Sequence, residues 1–127
     1  MKIFVTHSSN FDFKNDLYAP LQHSELYWQH TIMLPQIKRK EVITREIIKS
    51  CDLIVAEVSY PSTGQGIELG WANVFAIPIV CVYKKGHTYS SSVTHITNVF
   101  IAYKNSKDLI FKLTKVVQSF EQKNKRL

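Results

Sequence analysis

Apolar and polar positions change period several times along this chain. Lys2 to Thr6 is a short β-branched and aromatic run that breaks into the polar stretch His7-Ser8-Ser9-Asn10, the signature of a strand followed by a loop. From Lys14 to Leu26 the apolar positions Leu17, Tyr18, Leu21 and Leu26 recur at helical spacing, and Pro20 is expected in the first turn, so the helix starts later than Lys14. Tyr27 to Leu34 predicts a second strand closed by Pro35, and the basic segment Gln36 to Lys40 an exposed loop. Val42, Ile43, Ile47 and Ile48 mark an amphipathic helix over Glu41 to Ser50. Asp52 to Ser59 is nearly all apolar, as a strand covered on both faces should be. A helix is predicted over Gly66 to Ala76, its connection ended by Pro78, then a buried strand over Ile79 to Tyr83 and a polar loop over Lys84 to Ser92. Val99 to Tyr103 reads as a last strand. Lys107 to Phe120 is a long helix with Leu109, Ile110, Leu113, Val116, Val117 and Phe120 on one face.

Strand and helix thus alternate about five times, which predicts a three-layer, doubly wound α/β fold of flavodoxin-like (Rossmann-type) topology with a mostly parallel five-stranded sheet. At 127 residues the chain is read as one domain spanning 1–127, with a basic tail over about 121–127. Its 45% hydrophobic and 12% aromatic content is globular, without repeats or low-complexity tracts. The longest apolar run, Val74 to Tyr83, is too short to span a membrane and contains Pro78. Residues 1–5 are too short for a signal-peptide core. Cys51 and Cys81 lack metal-ligand spacing and read as two reduced thiols, so a cytoplasmic protein is expected. The net charge of +6 comes partly from Lys38-Arg39-Lys40 and from Lys123, Lys125 and Arg126. With no nucleic-acid motif and dispersed charge, a polynucleotide partner is not expected; a positive field also suits a small phosphorylated substrate.

The chemistry concentrates where the central strand runs into a Pro/Ser/Thr/Gly turn that opens a helix. In an open α/β sheet, ligands bind at the carboxyl ends of strands, and the helix start offers free N–H groups to an anion. Glu57 and Glu68 flank the turn. Glu68 reads either as an acid stabilised near a helix N-terminus or as a carboxylate able to attack an anomeric carbon. Its setting favours the second: Gly64 and Gly66 permit close backbone approach, and Ser62 and Thr63 supply hydroxyls. Ser62 and Thr63 can equally cap the helix, using the same free N–H groups. Glu57 either bonds the next loop or contacts sugar hydroxyls. His7, Ser8, Ser9 and Asn10 form either a plain polar loop or one holding phosphate or base. His7 has no partner at metal-ligand spacing, and no metal or organic cofactor is called for.

The run Asp52 to Ala72 resembles the nucleoside 2-deoxyribosyltransferase superfamily, most of all its branch of 2′-deoxynucleoside 5′-monophosphate N-glycosidases. The residues that carry this are Ala56-Glu57-Val58, Pro61-Ser62-Thr63-Gly64-Gln65-Gly66 and Glu68-Leu69-Gly70. Weaker similarity extends from Lys2 to about Ser92. The resemblance implies Glu68 as nucleophile, Ser62 as a contact to the 5′-phosphate, Ser92 as a serine donated to that phosphate by a neighbouring subunit, and Thr6 to Asn10 as the substrate-facing first loop. It also implies a homodimer. Two departures stand out: ungapped counting puts Thr44 where the family carries an aspartate, and Thr6-His7-Ser8-Ser9 replaces the first-loop glycines.

The expected function is hydrolysis of a nucleoside 5′-monophosphate at its N-glycosidic bond, or transfer of its sugar, through a glycosyl ester on Glu68. The rival is a nucleotide-binding or signalling module without turnover, favoured by Thr44. A flavin-binding domain is a third reading, opposed by the acid beside the phosphate turn.

Overall fold

The computed structural model describes residues 1–39 and 41–125; Lys40 of the basic loop and Arg126 of the tail lie outside the described residues. The strands are β1 (Lys2–His7), β2 (Thr31–Met33), β3 (Leu53–Glu57), β4 (Ile79–Lys84) and β5 (Phe100–Tyr103). They form one sheet in the order β2-β1-β3-β4-β5, every neighbouring pair parallel. This is the flavodoxin-like order, whose topological switch lies between β1 and β3.

Because strand side chains alternate, β3 divides its residues between two cores. Leu53 and Val55 pack with Tyr103 and with Leu109, Leu113 and Val117 of the long helix α5 (Ser106–Lys125). Ile54 and Ala56 pack with Leu69 and Ala72 of α4 (Thr63–Val74) and with Ile48 of α3 (Arg45–Lys49). The three-layer arrangement expected from the apolar pattern is observed.

Several boundaries differ from expectation. The helix predicted over Lys14 to Leu26 is broken into a π-turn (Lys14–Tyr18), α1 (Ala19–Gln22) and, after Ser24, α2 (Glu25–Gln29). Pro20 stands in the first turn of α1, as expected; lacking an N–H, it cannot bond the Asp16 carbonyl. Ala19 donates instead to Lys14 five residues back, and the Asp16 carbonyl accepts from the Ser106 hydroxyl at 3.4 Å. Tyr27 to Gln29 therefore belong to α2, and β2 is confined to Thr31–Met33. The helix expected from Glu41 starts only at Arg45, where Thr44 is the N-cap and accepts from the Ile47 amide at 3.4 Å. Helix α4 starts at Thr63 rather than Gly66, and the polar loop after β4 ends in a 3-10 turn, Ser91–His95. Helix α5 runs on to Lys125, so Lys123 and Lys125 of the basic tail are helical and exposed. Among the described residues, no helix is long and apolar enough to cross a membrane.

Candidate active site

The first turn of α4 lies over the carboxyl ends of β1 and β3, fixed there by Gln65. This buried side chain donates from Nε2 to the Thr6 carbonyl at 3.2 Å and the Glu57 carbonyl at 2.7 Å. Gln65 continues inward to Leu69 and Ala72 at helical spacing. Sequence reading missed it, because starting the helix at Gly66 left Gln65 in the turn.

Ser62 occupies the N-cap position of α4, and its side chain makes no capping hydrogen bond. Capping therefore does not use up its hydroxyl, and the first-turn amides point outward from the helix start. A cavity of about 350 Å³ opens here, lined by Ser62, Thr63, Gly66, Ser90 and Ser92 among others. A Cβ at Gly64 or Gly66 would meet no protein atom within 4 Å, so internal packing does not require glycine at either position. Ser92 lines this cavity with Ser62 of the same chain.

Glu68 is half-buried one turn further along α4. Thr6, on the α4 side of β1, donates its hydroxyl to Glu68 Oε1 at 2.6 Å and is itself fully buried. That bond orients the carboxylate across the strand end. Glu68 and Gly64 also line a second, more apolar cavity of about 400 Å³ with Ile67, Trp71 and the 41–43 segment. Helix α4 thus has on one side a hollow where the Ser62, Thr63, Ser90 and Ser92 hydroxyls sit among the apolar Val58, Leu69 and Val93, a more apolar hollow on the other, and Glu68 bordering the second.

Glu57 and His7 turn the other way. Glu57 is buried on the α5 side of β3, where its carboxylate accepts from the Ser59 amide at 2.6 Å, the Ser59 hydroxyl at 3.1 Å and the Tyr103 hydroxyl. Burial is the main reason the Tyr103 hydroxyl is pushed above its ordinary range, and the Glu57 bond and charge add to it. His7 lies in an aromatic cluster with Phe11, Phe13 and Tyr18. Its Nδ1 faces the Ser8 carbonyl at 2.8 Å, so the proton is assigned there; the Tyr18 hydroxyl then donates to Nε2 at 2.7 Å and accepts from the Gln36 amide at 3.0 Å. Ser8 is buried and its hydroxyl accepts from the Asn10 amide, while Ser9 and Asn10 are exposed. The structure therefore brings Thr6, Ser62, Thr63, Gly64, Gly66, Glu68 and Ser92 to the two sides of α4, and leaves His7 and Glu57 beneath the opposite layer.

Burial lowers the His7 pKa below 6.5, against the Ser8 bond, which raises it. His30 is lowered too, by burial and then by the N-terminal ammonium, with Glu121 opposing. A histidine held neutral by the fold takes up its proton on unfolding. Stability is then complete above pH 6.5 and falls as pH drops from 6.5 through the depressed values. Urea midpoints should fall across that window, and His7→Gln should remove part of the slope; an unchanged slope would contradict a buried neutral His7.

Both cysteines are buried and free, and the Cys81 thiol is pushed up to about 12 by burial. Neither is an activated nucleophile. Among the described residues, no group of three His, Cys, Asp or Glu side chains is placed to hold a metal ion.

Comparison with known proteins follows the same direction. A stretch of 39 residues is 49% identical to a protein of Syntrophotalea carbinolica provisionally named 2′-deoxynucleoside 5′-phosphate N-hydrolase 1. That match covers 31% of this chain and 28% of the relative, so less than a third of the relative's length is represented. The fold is similar to that of the CMP N-glycosidase BcmB of Clostridium botulinum, with a TM-score of 0.62 and 24% identity over 90% of this chain and 99% of that one. At that identity the likeness speaks for the fold. No family model matches the chain. Both proteins carry names of nucleotide N-glycosidase chemistry, the class to which the resemblance of Asp52 to Ala72 points.

Proposed function

We propose that this chain is an N-glycosidase of nucleoside 5′-monophosphates. The observation that carries the reading is the placement of Glu68: a carboxylate aimed by Thr6 at 2.6 Å, one turn along a helix whose free N-terminus opens on a serine-lined hollow. A dianionic 5′-phosphate suits the α4 amides with the Ser62 and Ser92 hydroxyls, because helix N-termini bind anions through unpaired N–H groups and the aligned peptide dipole. The sugar would then lie across the first turn, bringing C1′ to Glu68. Attack by the carboxylate forms a glycosyl ester as the base leaves with the bonding electrons, and water resolves the ester. A second base in place of water makes the same site a transferase.

The names of the two similar proteins support nucleotide substrates. Thr44 favours the rival reading of a binding module, since it is exposed and spends its hydroxyl on capping α3. Incubation with a panel of nucleoside 5′-monophosphates and chromatography of the released base decides between them: binding without release from any member supports the module.

Ser92→Ala tests the phosphate hollow. It should weaken binding of a 5′-monophosphate by several-fold and leave the free nucleoside nearly unchanged, because only the phosphate reaches this side of α4. Equal losses for both would remove Ser92 from the phosphate site. The homodimer implied by the family resemblance is checked by light scattering of the intact protein.

A further inference from the structure

We propose that Glu41 is the second carboxylate of this site, the group that gives a proton to the departing base and takes one from the water that resolves the intermediate. This rests on the reading of Glu68 as nucleophile.

The argument starts from the apolar cavity of about 400 Å³ between α4 and the 41–43 segment. Glu41 and Glu68, distant in sequence, line that one cavity, with Val42, Ile67 and Trp71 as apolar walls. A flat heteroaromatic base suits such walls, and a carboxyl beside it meets the base's polar edge. The backbone places Glu41 here: its amide donates to the Pro35 carbonyl at 3.1 Å, closing the preceding loop.

The position counted onto the family's aspartate lies elsewhere. Thr44 and Glu46 line a separate hollow of about 300 Å³, and Trp71 forms a wall of both. Glu46 pairs with Arg45 at 3.4 Å. Of these acids, Glu41 is the one that shares the Glu68 cavity. Because α3 starts only at Arg45, Glu41 lies in an irregular 41–44 segment rather than in the helix expected from Glu41.

In the first step a Glu68 oxygen bonds to C1′ while the C1′–N bond breaks. Its electron pair leaves with the base, whose nitrogen takes the proton from the Glu41 carboxyl. In the second step the Glu41 carboxylate accepts a proton from water as the water oxygen bonds to C1′. The ester C1′–O bond breaks, returning Glu68 as carboxylate and Glu41 as acid. The products are free base and sugar 5-phosphate.

The test compares Glu41→Gln with the wild type on two substrates: a cleavable nucleoside 5′-monophosphate, and the matching 4-nitrophenyl glycoside 5-phosphate, whose phenolate leaves without a proton. Base release should fall by about 10²-fold or more. The first-turnover burst of 4-nitrophenolate should stay near that of wild type. Glu46→Gln should leave both rates unchanged. Equal losses on both substrates, or undiminished base release, would overturn the role of Glu41. If Glu41→Gln is fully active while Glu68→Gln is inactive, only Glu41 is overturned. Cleavage that survives Glu68→Gln, or a wild type inert on every monophosphate, removes the nucleophile reading and this proposal with it.

Discussion

Glu68→Gln should abolish base release from every nucleoside monophosphate that the wild type cleaves, while nucleotide binding stays within about tenfold, or about 1.4 kcal/mol. The two effects separate because the amide keeps the size of the carboxylate and can still accept the Thr6 hydroxyl bond through its oxygen. What it loses is the negative oxygen that bonds to C1′, for which an amide is no substitute. Removing a negative charge near a phosphate can even tighten binding. Base release and equilibrium binding of the same monophosphate, measured on both proteins, check this. Undiminished release by the variant would remove Glu68 as nucleophile, whereas a parallel loss of binding and release would make it a substrate anchor.

Tyr103→Phe should destabilise the fold by about 1.5–3 kcal/mol, the usual worth of a buried hydrogen bond to a charged group. Glu57 is 1% exposed, and its carboxylate relies on the Ser59 amide, the Ser59 hydroxyl and the Tyr103 hydroxyl in place of water. The Ser59 hydroxyl is tied in turn to the Lys84 amide at 2.8 Å, so the network joins the ends of β3 and β4 to β5. Deleting the phenolic oxygen leaves the carboxylate short of a donor and unable to reach solvent. Urea denaturation should show a lower midpoint with an unchanged slope. Activity of the folded variant should be near that of wild type, because this network lies under α5 while Glu68 stands on α4, on the other face of the sheet. A variant as stable as wild type but impaired in turnover would return Glu57 to the substrate, the other role its position in the sequence allowed.

These two residues show where sequence reading ends. Glu57 and Glu68 flank the same short turn, and as a sequence they form a natural pair of acids beside an anion site. Strand period places Glu57 on the face of Leu53 and Val55, toward Tyr103; helix period places Glu68 on the opposite layer, against Thr6. Each period is local, but which layer a face meets depends on the sheet order and on which side each crossover packs.

What the sequence determined by itself was the alternation of strands and amphipathic helices, the nearly all-apolar central strand, and the turn from Pro61 to Gly66 running into Glu68. Those follow from periodicity, composition and turn chemistry, all encoded within a few neighbouring residues. Pro20 was legible as a first-turn residue, and it stands there in α1; the π-turn before it, and the Ser106 hydroxyl that reaches the Asp16 carbonyl from far along the chain, were not. Only the tertiary structure decided that Gln65 bonds the ends of β1 and β3, that Thr6 aims Glu68, and that Glu41 shares a cavity with Glu68. These contacts join residues separated by many positions along the chain. A hydrogen bond or a shared cavity of that kind leaves no periodic trace in the amino-acid order; it exists once the sheet has chosen its neighbours.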